Sequence, residues 1–264
     1  MDDITVRYNF KYDSVIVIQS LLPNEPETGK ELFNDIIRRR CERNGTRAHY
    51  ISIQTKNEFF QELYAIKAQV IAGTVSPILH MEIHGGRKGL ELGNGEVVLW
   101  EELAGIFREM NRALTNGLII SLATCQGAYM YKLTDIQQTA PYWGFIGPKD
   151  IIRNENFTRD FSGFYDLLLE THDLGKALDA LNINNETYLY AFLTAEMIFD
   201  LVVEEINRRP KEKSVETFRR LFSRTKKAFP ELNRYQRRQQ LKHNQNVHNR
   251  SVFLAKLKRD FLMK

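Results

Sequence analysis

The feature that most constrains the fold is a regular alternation of short apolar strand segments with amphipathic helices over the first two thirds of the chain. The β-branched run at residues 15–18 is typical of a strand buried on both faces. Further strands are predicted at residues 47–53, 77–83, 118–123, 142–146 and 187–192. Helical apolar stripes separate most of these runs, and a Gly-Asn-Gly turn at 93–95 predicts a β-hairpin after the third strand. This order predicts an α/β fold with an open, mainly parallel sheet and helices on both faces.

The charge of the chain is distributed unevenly. The 264 residues have a net charge of +4, but residues 208–264 contain 18 Lys or Arg and four Asp or Glu, a net of +14. Residues 1–207 contain 19 Lys or Arg and 29 Asp or Glu, a net of −10. We therefore predict an acidic domain over 1–207 and a basic helical C-terminal appendage over 208–264. Such an appendage can dock on the acidic domain, or bind an acidic partner or a nucleic acid.

Composition and termini indicate the cellular class of the protein. The two cysteines, Cys41 and Cys125, are too few for a disulfide framework, which favours a reducing compartment. The first residues form neither a basic nor an apolar leader segment, and no apolar run approaches the ~18 residues of a membrane span. We expect a cytoplasmic protein with no membrane contact. Phosphate-binding glycine motifs are not found in the sequence, and we expect no cofactor.

A histidine and a cysteine follow two successive strands of the predicted sheet. The third strand ends at His84-Gly85-Gly86, and the fourth ends just before Cys125. An imidazole next to a thiol can take its proton and leave a thiolate nucleophile. A helix predicted to begin at Cys125 would favour that thiolate through its dipole. Because Gly85 has no Cβ, its N–H and that of Cys125 could together form an oxyanion hole.

Two other interpretations of these residues stay open at this point. A lone cysteine is more often structural, as we expect for Cys41 on an apolar helix stripe. His80, Glu82 and His84 alternate along one strand, and with Cys125 they have the composition of a zinc site. A buried strand argues against that site, and we expect no bound metal. Glu82 or His80 would instead orient His84 or make a structural hydrogen bond.

Two segments resemble caspase-like peptidases. Residues 78–107, with a strand, His-Gly-Gly, a glycine-rich hairpin and a helix, are similar to the histidine half of that fold. Residues 118–127, with a hydrophobic strand ending in Ala-Thr-Cys-Gln-Gly, are similar to its cysteine half, and the downstream residues 144–178 resemble the CHAT group. His84 and Cys125 are 41 residues apart, against about 50 in caspases. The resemblance implies a cysteine endopeptidase that cleaves protein substrates through a thioester, with His84 as general base and Cys125 as nucleophile.

The sequence also departs from true caspases. These enzymes carry Gln-Ala-Cys at the nucleophile and hold a substrate aspartate with arginines, whereas the loop after the first strand carries Glu25 and Glu27. With Asp150, these carboxylates predict a basic or uncharged residue at P1. The segment at 128–141 is short, so we expect a single-chain enzyme that an activating protein or small ligand switches on. The alternatives are a catalytically silent caspase-like interaction module, or a nucleic-acid-binding protein that acts through the appendage.

Overall fold

The computed structural model describes residues 11–183, 189–208, 236 and 247–264. They fall into two compact units. The first unit lies within residues 1–133 and 141–194, and the second lies within residues 134–140 and 195–264.

The first unit contains a mostly parallel mixed sheet with the strand order β2-β1-β3-β6-β7-β8. The first five strands of this order are parallel, and β8 pairs antiparallel with β7. A hairpin of β4 and β5 pairs antiparallel with the end of β3. The strands are β1 Ser14–Ser20, β2 Arg47–Ser52, β3 Pro77–Gly85, β4 Gly89–Glu91, β5 Val97–Leu99, β6 Ile119–Ala123, β7 Gly144–Pro148 and β8 Tyr190–Thr194. The predicted α/β class, with a mainly parallel sheet, is confirmed.

Five longer helices and one short one connect the strands of the first unit. Helix α1 runs through Thr28–Leu32, a π-helical turn Phe33–Ile37 and Arg38–Asn44, and it ends at Gly45, whose φ of 75° is the left-handed conformation that glycine favours. The others are α2 Lys56–Ile71, α3 Trp100–Ala113, a 3₁₀ helix Gly127–Leu133, α4 Asn154–Thr171 and α5 Leu174–Asn182. Thr55 caps α2, because its side chain accepts from the backbone N–H of Glu58.

The crossovers put helices on both faces of the sheet. The chain passes from β1 to β2 in one direction and from β2 across β1 to β3 in the other, so right-handed crossovers place α1 and α2 on opposite faces. Helix α1 contacts α4, and α2 contacts α3. The core on the α1 side includes alternate strand residues Val15, Val17, Ile78 and Ile119 packed with α4 residues Phe161, Phe164 and Leu168. Both faces of the central strands are thus buried, as the β-branched runs predict.

Two strand predictions need correction. The fifth long strand begins at Gly144, not at residue 142, because the N–H of Trp143 bonds the carbonyl of Leu118 before the ladder starts. Tyr142 is buried by its edge-on contact with Phe145 instead of by strand pairing. The last strand is Tyr190–Thr194 instead of 187–192, and residues 187 and 188 lie outside the described residues.

The second unit contains helices α6 Ala195–Arg208 and α7 Val247–Leu262. Phe199 of α6 packs on Phe261 of α7 with ring centroids 5.6 Å apart, and the surrounding core also holds Ile136, Ala140, Ala195 and Leu262. Helix α6, which the sequence analysis assigns to the acidic domain, therefore packs with the C-terminal helix. Most of residues 209–246 lie outside the described residues, so the predicted boundary at 207/208 and the nucleic-acid contact of the appendage stay predictions.

Candidate active site

The candidate site lies where the direction of the strand order reverses. Strands β1 and β3 are neighbours, but the chain leaves β1 toward one edge of the sheet and leaves β3 toward the other. Loops that follow these two strands diverge, which opens a crevice at their carboxyl ends, the usual ligand position in such sheets. His84 is at the end of β3, and Glu25 is in the loop after β1. Cys125 follows β6, the strand next to β3.

His84 is held by a carboxylate. Its Nε2 lies 2.6 Å from Oε2 of Glu25, and both side chains are largely shielded, with 32% and 24% exposed. The same carboxylate accepts a hydrogen bond of 3.0 Å from the backbone N–H of Leu22. Partial burial raises the pKa of Glu25, but its hydrogen bonds with His84 and with the Leu22 N–H outweigh burial and lower the pKa overall. Glu25 is therefore an ionised partner of His84 at neutral pH.

Cys125 occupies the corner of a tight turn. The N–H of Gly127 donates to the carbonyl of Thr124 at 2.9 Å, so Cys125 and Gln126 are the central residues of the turn. Gln126 has a φ of 56°, a left-handed conformation that is unfavourable for a residue with a side chain. A hydrogen bond from its N–H to the carbonyl of Asp150 holds it there. Strain of this kind is found most often at functional sites.

The turn corrects one prediction about Cys125. The helix that follows is a seven-residue 3₁₀ helix that begins at Gly127, two residues after the cysteine. The left-handed backbone of Gln126 prevents a helix from starting at Cys125. A helix dipole aimed at the thiol is thus not part of this site.

Cys125 and His84 line the same small cavity. The other residues around it are Leu21, Thr28, Glu82, Ile83, Ala123 and Phe157. In this conformation the thiol donates to the carbonyl oxygen of Ile152 at 3.5 Å, and a hydrogen bond between Cys125 and His84 is not among those of the described residues. Catalytic hydrogen bonds are often loose in unliganded structures and tighten when substrate binds.

Gly85 packs directly against the cysteine segment. A Cβ at this position would overlap Cγ2 of Thr124 and lie 3.0 Å from the carbonyl oxygen of Cys125. The ends of β3 and β6 therefore approach each other more closely than any residue with a side chain allows. This approach puts the backbones of the two predicted oxyanion donors, Gly85 and Cys125, side by side.

A row of buried polar side chains lies beneath the cavity. Glu82 is 4% exposed, accepts a hydrogen bond from the hydroxyl of Thr28 and lies 3.6 Å from Nε2 of His80. His80 is fully buried, with its Nδ1 3.2 Å from the hydroxyl oxygen of Ser121, its partner across the β3–β6 ladder. Among the described residues, no group of three or more His, Cys, Asp or Glu side chains is arranged to hold a metal ion. Glu82 is thus hydrogen-bonded to Thr28 and His80 to Ser121, while Nε2 of His80 is near Glu82 but has no hydrogen-bond partner among the described residues.

The sequence matches no known family model, and no curated protein is significantly similar to it. The function must therefore be inferred from the site itself. In the part of the chain that the structure describes, no helix combines the length and the apolar character needed to cross a bilayer.

The three carboxylates predicted for substrate binding have different environments. Glu25 contacts His84, which the sequence analysis did not foresee, since it assigned the orienting role to Glu82 or His80. Glu27 forms a 2.6 Å ion pair with Lys30, and both side chains are about half exposed. Asp150 is exposed and reaches the site through its backbone carbonyl, which binds the N–H of Gln126. The structure therefore brings Glu25 to His84 and leaves Glu27 in a separate surface pair.

Cys41 differs from Cys125 in its surroundings. It is 1% exposed in the core between α1 and the sheet, and burial, with a smaller effect of Glu42, raises the pKa of its thiol to about 11. Such a thiol is protonated and inaccessible at neutral pH. Cys125 is partly exposed and lines the cavity with His84. Of the two cysteines, only Cys125 has the surroundings that a nucleophile requires.

Proposed function

We propose that this protein is a caspase-like cysteine endopeptidase in which Cys125 is the nucleophile and His84 the general base. The observation that carries the proposal is that these two side chains follow neighbouring parallel strands and line one cavity at the switch point of the sheet. The strained turn at Cys125 and the carboxylate on His84 support it, since both hold a reacting group in place. The local sequence resemblance to caspase-like peptidases agrees with this assignment.

The proposed reaction has two stages. His84 takes the proton from the Cys125 thiol, and the thiolate sulfur attacks the carbonyl carbon of the scissile peptide. When the tetrahedral intermediate collapses, the C–N bond breaks, and His84 gives the proton to the leaving amine. The acyl group stays on Cys125 as a thioester. In the second stage His84 takes a proton from water, and the hydroxide attacks the thioester carbonyl. The C–S bond then breaks, the carboxylic acid leaves, and His84 returns its proton to the Cys125 thiolate.

The backbone N–H groups of Gly85 and Cys125 are the proposed oxyanion donors. Negative charge develops on the carbonyl oxygen only in the tetrahedral state, so donors fixed beforehand favour that state over the ground state. The close packing of Gly85 on the Thr124 side chain and the Cys125 carbonyl supports this role, because it keeps the two backbone segments next to each other.

The resting enzyme is proposed to need a switch. The thiol proton is directed to the carbonyl of Ile152, in the loop between β7 and α4, instead of to His84. Chemistry requires the thiol to rotate toward the imidazole, and a shift of this loop would release it. An activating protein or small ligand that binds only the shifted conformation would drive the change by its differential affinity.

The same hydrogen bond favours a second candidate function, a caspase-like interaction module that does not turn over substrate. A thiol that stayed on the carbonyl of Ile152 would not act as a nucleophile. A cell-based comparison separates the two functions. New protein N-termini are counted in cells that express the wild type or Cys125→Ala, and the peptidase predicts cleavage sites that depend on Cys125. Equal sets of N-termini in the two samples, together with no labelling of Cys125 by a peptidyl electrophile, would favour the interaction module.

A further inference from the structure

The contact between Glu25 and His84 has the geometry of a strong charge-assisted hydrogen bond. The separation of 2.6 Å is at or below the short end of the range for an ionised donor–acceptor pair of this kind. Both side chains are less than one third exposed, so water competes with the pair less than at the protein surface. Pairs on open surfaces contribute little, but this one is shielded and joins the loop after β1 to the end of β3, 59 residues away in sequence.

The loop after β1 fixes the Glu25 carboxylate from its other side. The backbone N–H of Leu22 donates to that carboxylate, and the backbone N–H of Glu25 donates to the carbonyl of Leu22, both at 3.0 Å. These two hydrogen bonds close a compact turn and fix the position of the Glu25 carboxylate. The neighbouring acidic side chains are engaged elsewhere, Glu27 with Lys30 and Glu82 with Thr28 and His80.

We infer that Glu25 is a positioning residue that extends the dyad to a Glu25–His84–Cys125 triad. With Nε2–H donated to Glu25, the nitrogen left to accept the thiol proton is Nδ1. When Nδ1 takes that proton the ring becomes an imidazolium, and the Glu25 carboxylate, which stays ionised, stabilises the new positive charge. The proton thus moves from sulfur to Nδ1, and no proton moves to Glu25. This inference rests on the proposed function, because it assigns a partner to the proposed base.

The titratable groups around His84 are few among the described residues. They are Glu25 from the loop after β1, Glu82 on β3 itself, Glu91, which pairs with His84 in the β3–β4 ladder, and Cys125 after β6. Glu25 is the one whose side chain bonds the imidazole. Replacing it by Gln keeps the size and an acceptor oxygen but removes the charge. The matched control is Glu27→Gln, which removes a charge from the same loop without touching His84.

The test measures alkylation of Cys125 by iodoacetamide in the full-length protein across the pH range, quantified on the Cys125 peptide by mass spectrometry. His84→Ala and Glu25→Gln are each expected to slow alkylation at neutral pH, Glu25→Gln by about tenfold, the usual effect of losing one hydrogen bond to a charged group. Glu25→Gln should also move the pH midpoint of alkylation upward. Glu27→Gln should stay within about twofold of the wild type, since a half-exposed pair contributes little. Glu25→Asp, which keeps the charge, should recover part of the rate.

The outcomes distinguish a failure of the triad from a failure of the proposed base. If His84→Ala slows alkylation but Glu25→Gln matches the wild type in rate and midpoint, the triad is wrong and the dyad stands. If His84→Ala itself has the wild-type rate and midpoint, the proposed base and with it the proposed function fail. Cys41 in the same sample reports folding, because its thiol reacts only when the core opens. If Glu25→Gln unfolds enough to expose Cys41, the test is made with Glu25→Asp instead. A partly recovered alkylation rate of Cys125 in Glu25→Asp supports the triad, and a rate that does not recover overturns it.

Discussion

The thiol of Cys125 donates a hydrogen bond of 3.5 Å to the carbonyl oxygen of Ile152, which ties the turn after β6 to the loop between β7 and α4. A second link, from the N–H of Gln126 to the carbonyl of Asp150, joins the same two segments. The proposed nucleophile is therefore hydrogen-bonded to a loop in this conformation instead of to the proposed base. Formation of a thioester must break the first link, since the sulfur then has no proton to donate.

The first prediction concerns this loop. Labelling Cys125 with a peptidyl electrophile should increase backbone hydrogen exchange in residues 149–153. The label removes the thiol proton, and with it the hydrogen bond that the carbonyl oxygen of Ile152 accepts. Exchange measured by mass spectrometry before and after labelling checks the effect, and Cys125→Ala exposed to the same reagent is the control. Unchanged exchange in fully labelled protein would mean that the loop does not respond to the state of the thiol.

Replacing either member of the dyad should remove proteolysis and leave folding nearly intact. Cys125→Ala and His84→Ala are each expected to lower the cleavage rate by several orders of magnitude. Cys125 is partly exposed, so Cys125→Ala should change the free energy of unfolding by no more than about 1 kcal/mol. His84→Ala also removes the hydrogen bond to Glu25 and should cost about 1.5–3 kcal/mol, with the fold retained. Cys41→Ala is the opposite control: it opens a void in the core and should destabilise by about 1 kcal/mol or more with activity retained. His84→Ala with most of its cleavage activity would contradict the assignment.

Gly85 offers a test of the close approach between β3 and β6. Gly85→Ala puts a methyl group onto Thr124 and the carbonyl of Cys125, so we expect a loss of about 1–3 kcal/mol in stability together with a loss of activity. Gly86→Ala is the matched control, since its Cβ would meet only Oε1 of Gln126 at 4.0 Å. Adding Thr124→Ser to Gly85→Ala removes the overlapping methyl and should recover part of the stability. Thermal unfolding of the four proteins measures these differences in stability. Equal midpoints for Gly85→Ala and Gly86→Ala would contradict the prediction.

The specificity prediction concerns the P1 residue of the substrate. Of the carboxylates on which this prediction depends, Glu25 lies against His84, and its lowered pKa keeps it ionised, so it disfavours an acidic side chain close to the site. We expect peptides with Arg, Lys or an uncharged residue at P1 to be cleaved faster than peptides with Asp. A positional library assayed on the activated enzyme measures this preference. A library in which Asp at P1 is cleaved fastest would refute the prediction.

In the second unit, Lys258 should hold α7 to α6. Its ammonium lies 2.9 Å from carboxylate oxygens of both Glu196 and Asp200. Lys258→Ala should lower the stability of this unit by about 0.2–1 kcal/mol at low salt and by less at high salt. Arg259→Ala is the control, since it removes an exposed cation that has no ion pair among the described residues. Limited proteolysis at the two salt concentrations, followed at the C-terminal helix, gives the comparison, and equal effects of both variants would oppose the prediction.

The same contacts set a direction for the pH dependence. The hydrogen bond from Lys258, and then that from Lys264, lowers the pKa of Glu196 in spite of its partial burial. A carboxyl group with a lowered pKa in the folded state contributes stability above its unfolded pKa of ~4.3. That contribution is lost as the pH falls through the folded value. Acid should therefore loosen α7 in the wild type more than in Lys258→Ala.

Local patterns in the sequence were sufficient for most of the elements and for the placement of His84 and Cys125 at one edge of the sheet. The β-branched runs predict strands that are buried on both faces. The end of α1 at Gly45 is predicted because glycine tolerates the positive φ that ends a helix. His84 and Cys125 could be placed at one edge because residues that follow parallel strands emerge at the same edge. Each of these inferences uses interactions within one element or between successive elements.

Only the tertiary structure could decide which groups meet across the crevice. Glu25 contacts His84 because the crossovers bring the loop after β1 next to the end of β3, and the turn at Leu22 then aims its carboxylate. Glu82, two residues from His84 on the same strand face, was the nearer choice in sequence but is engaged with Thr28 and His80. The assignment of α6 to the unit of α7 likewise depends on the contact of Phe199 with Phe261. Local periodicity shows which residues are buried, whereas the partners of a side chain depend on backbone paths that converge from distant parts of the chain.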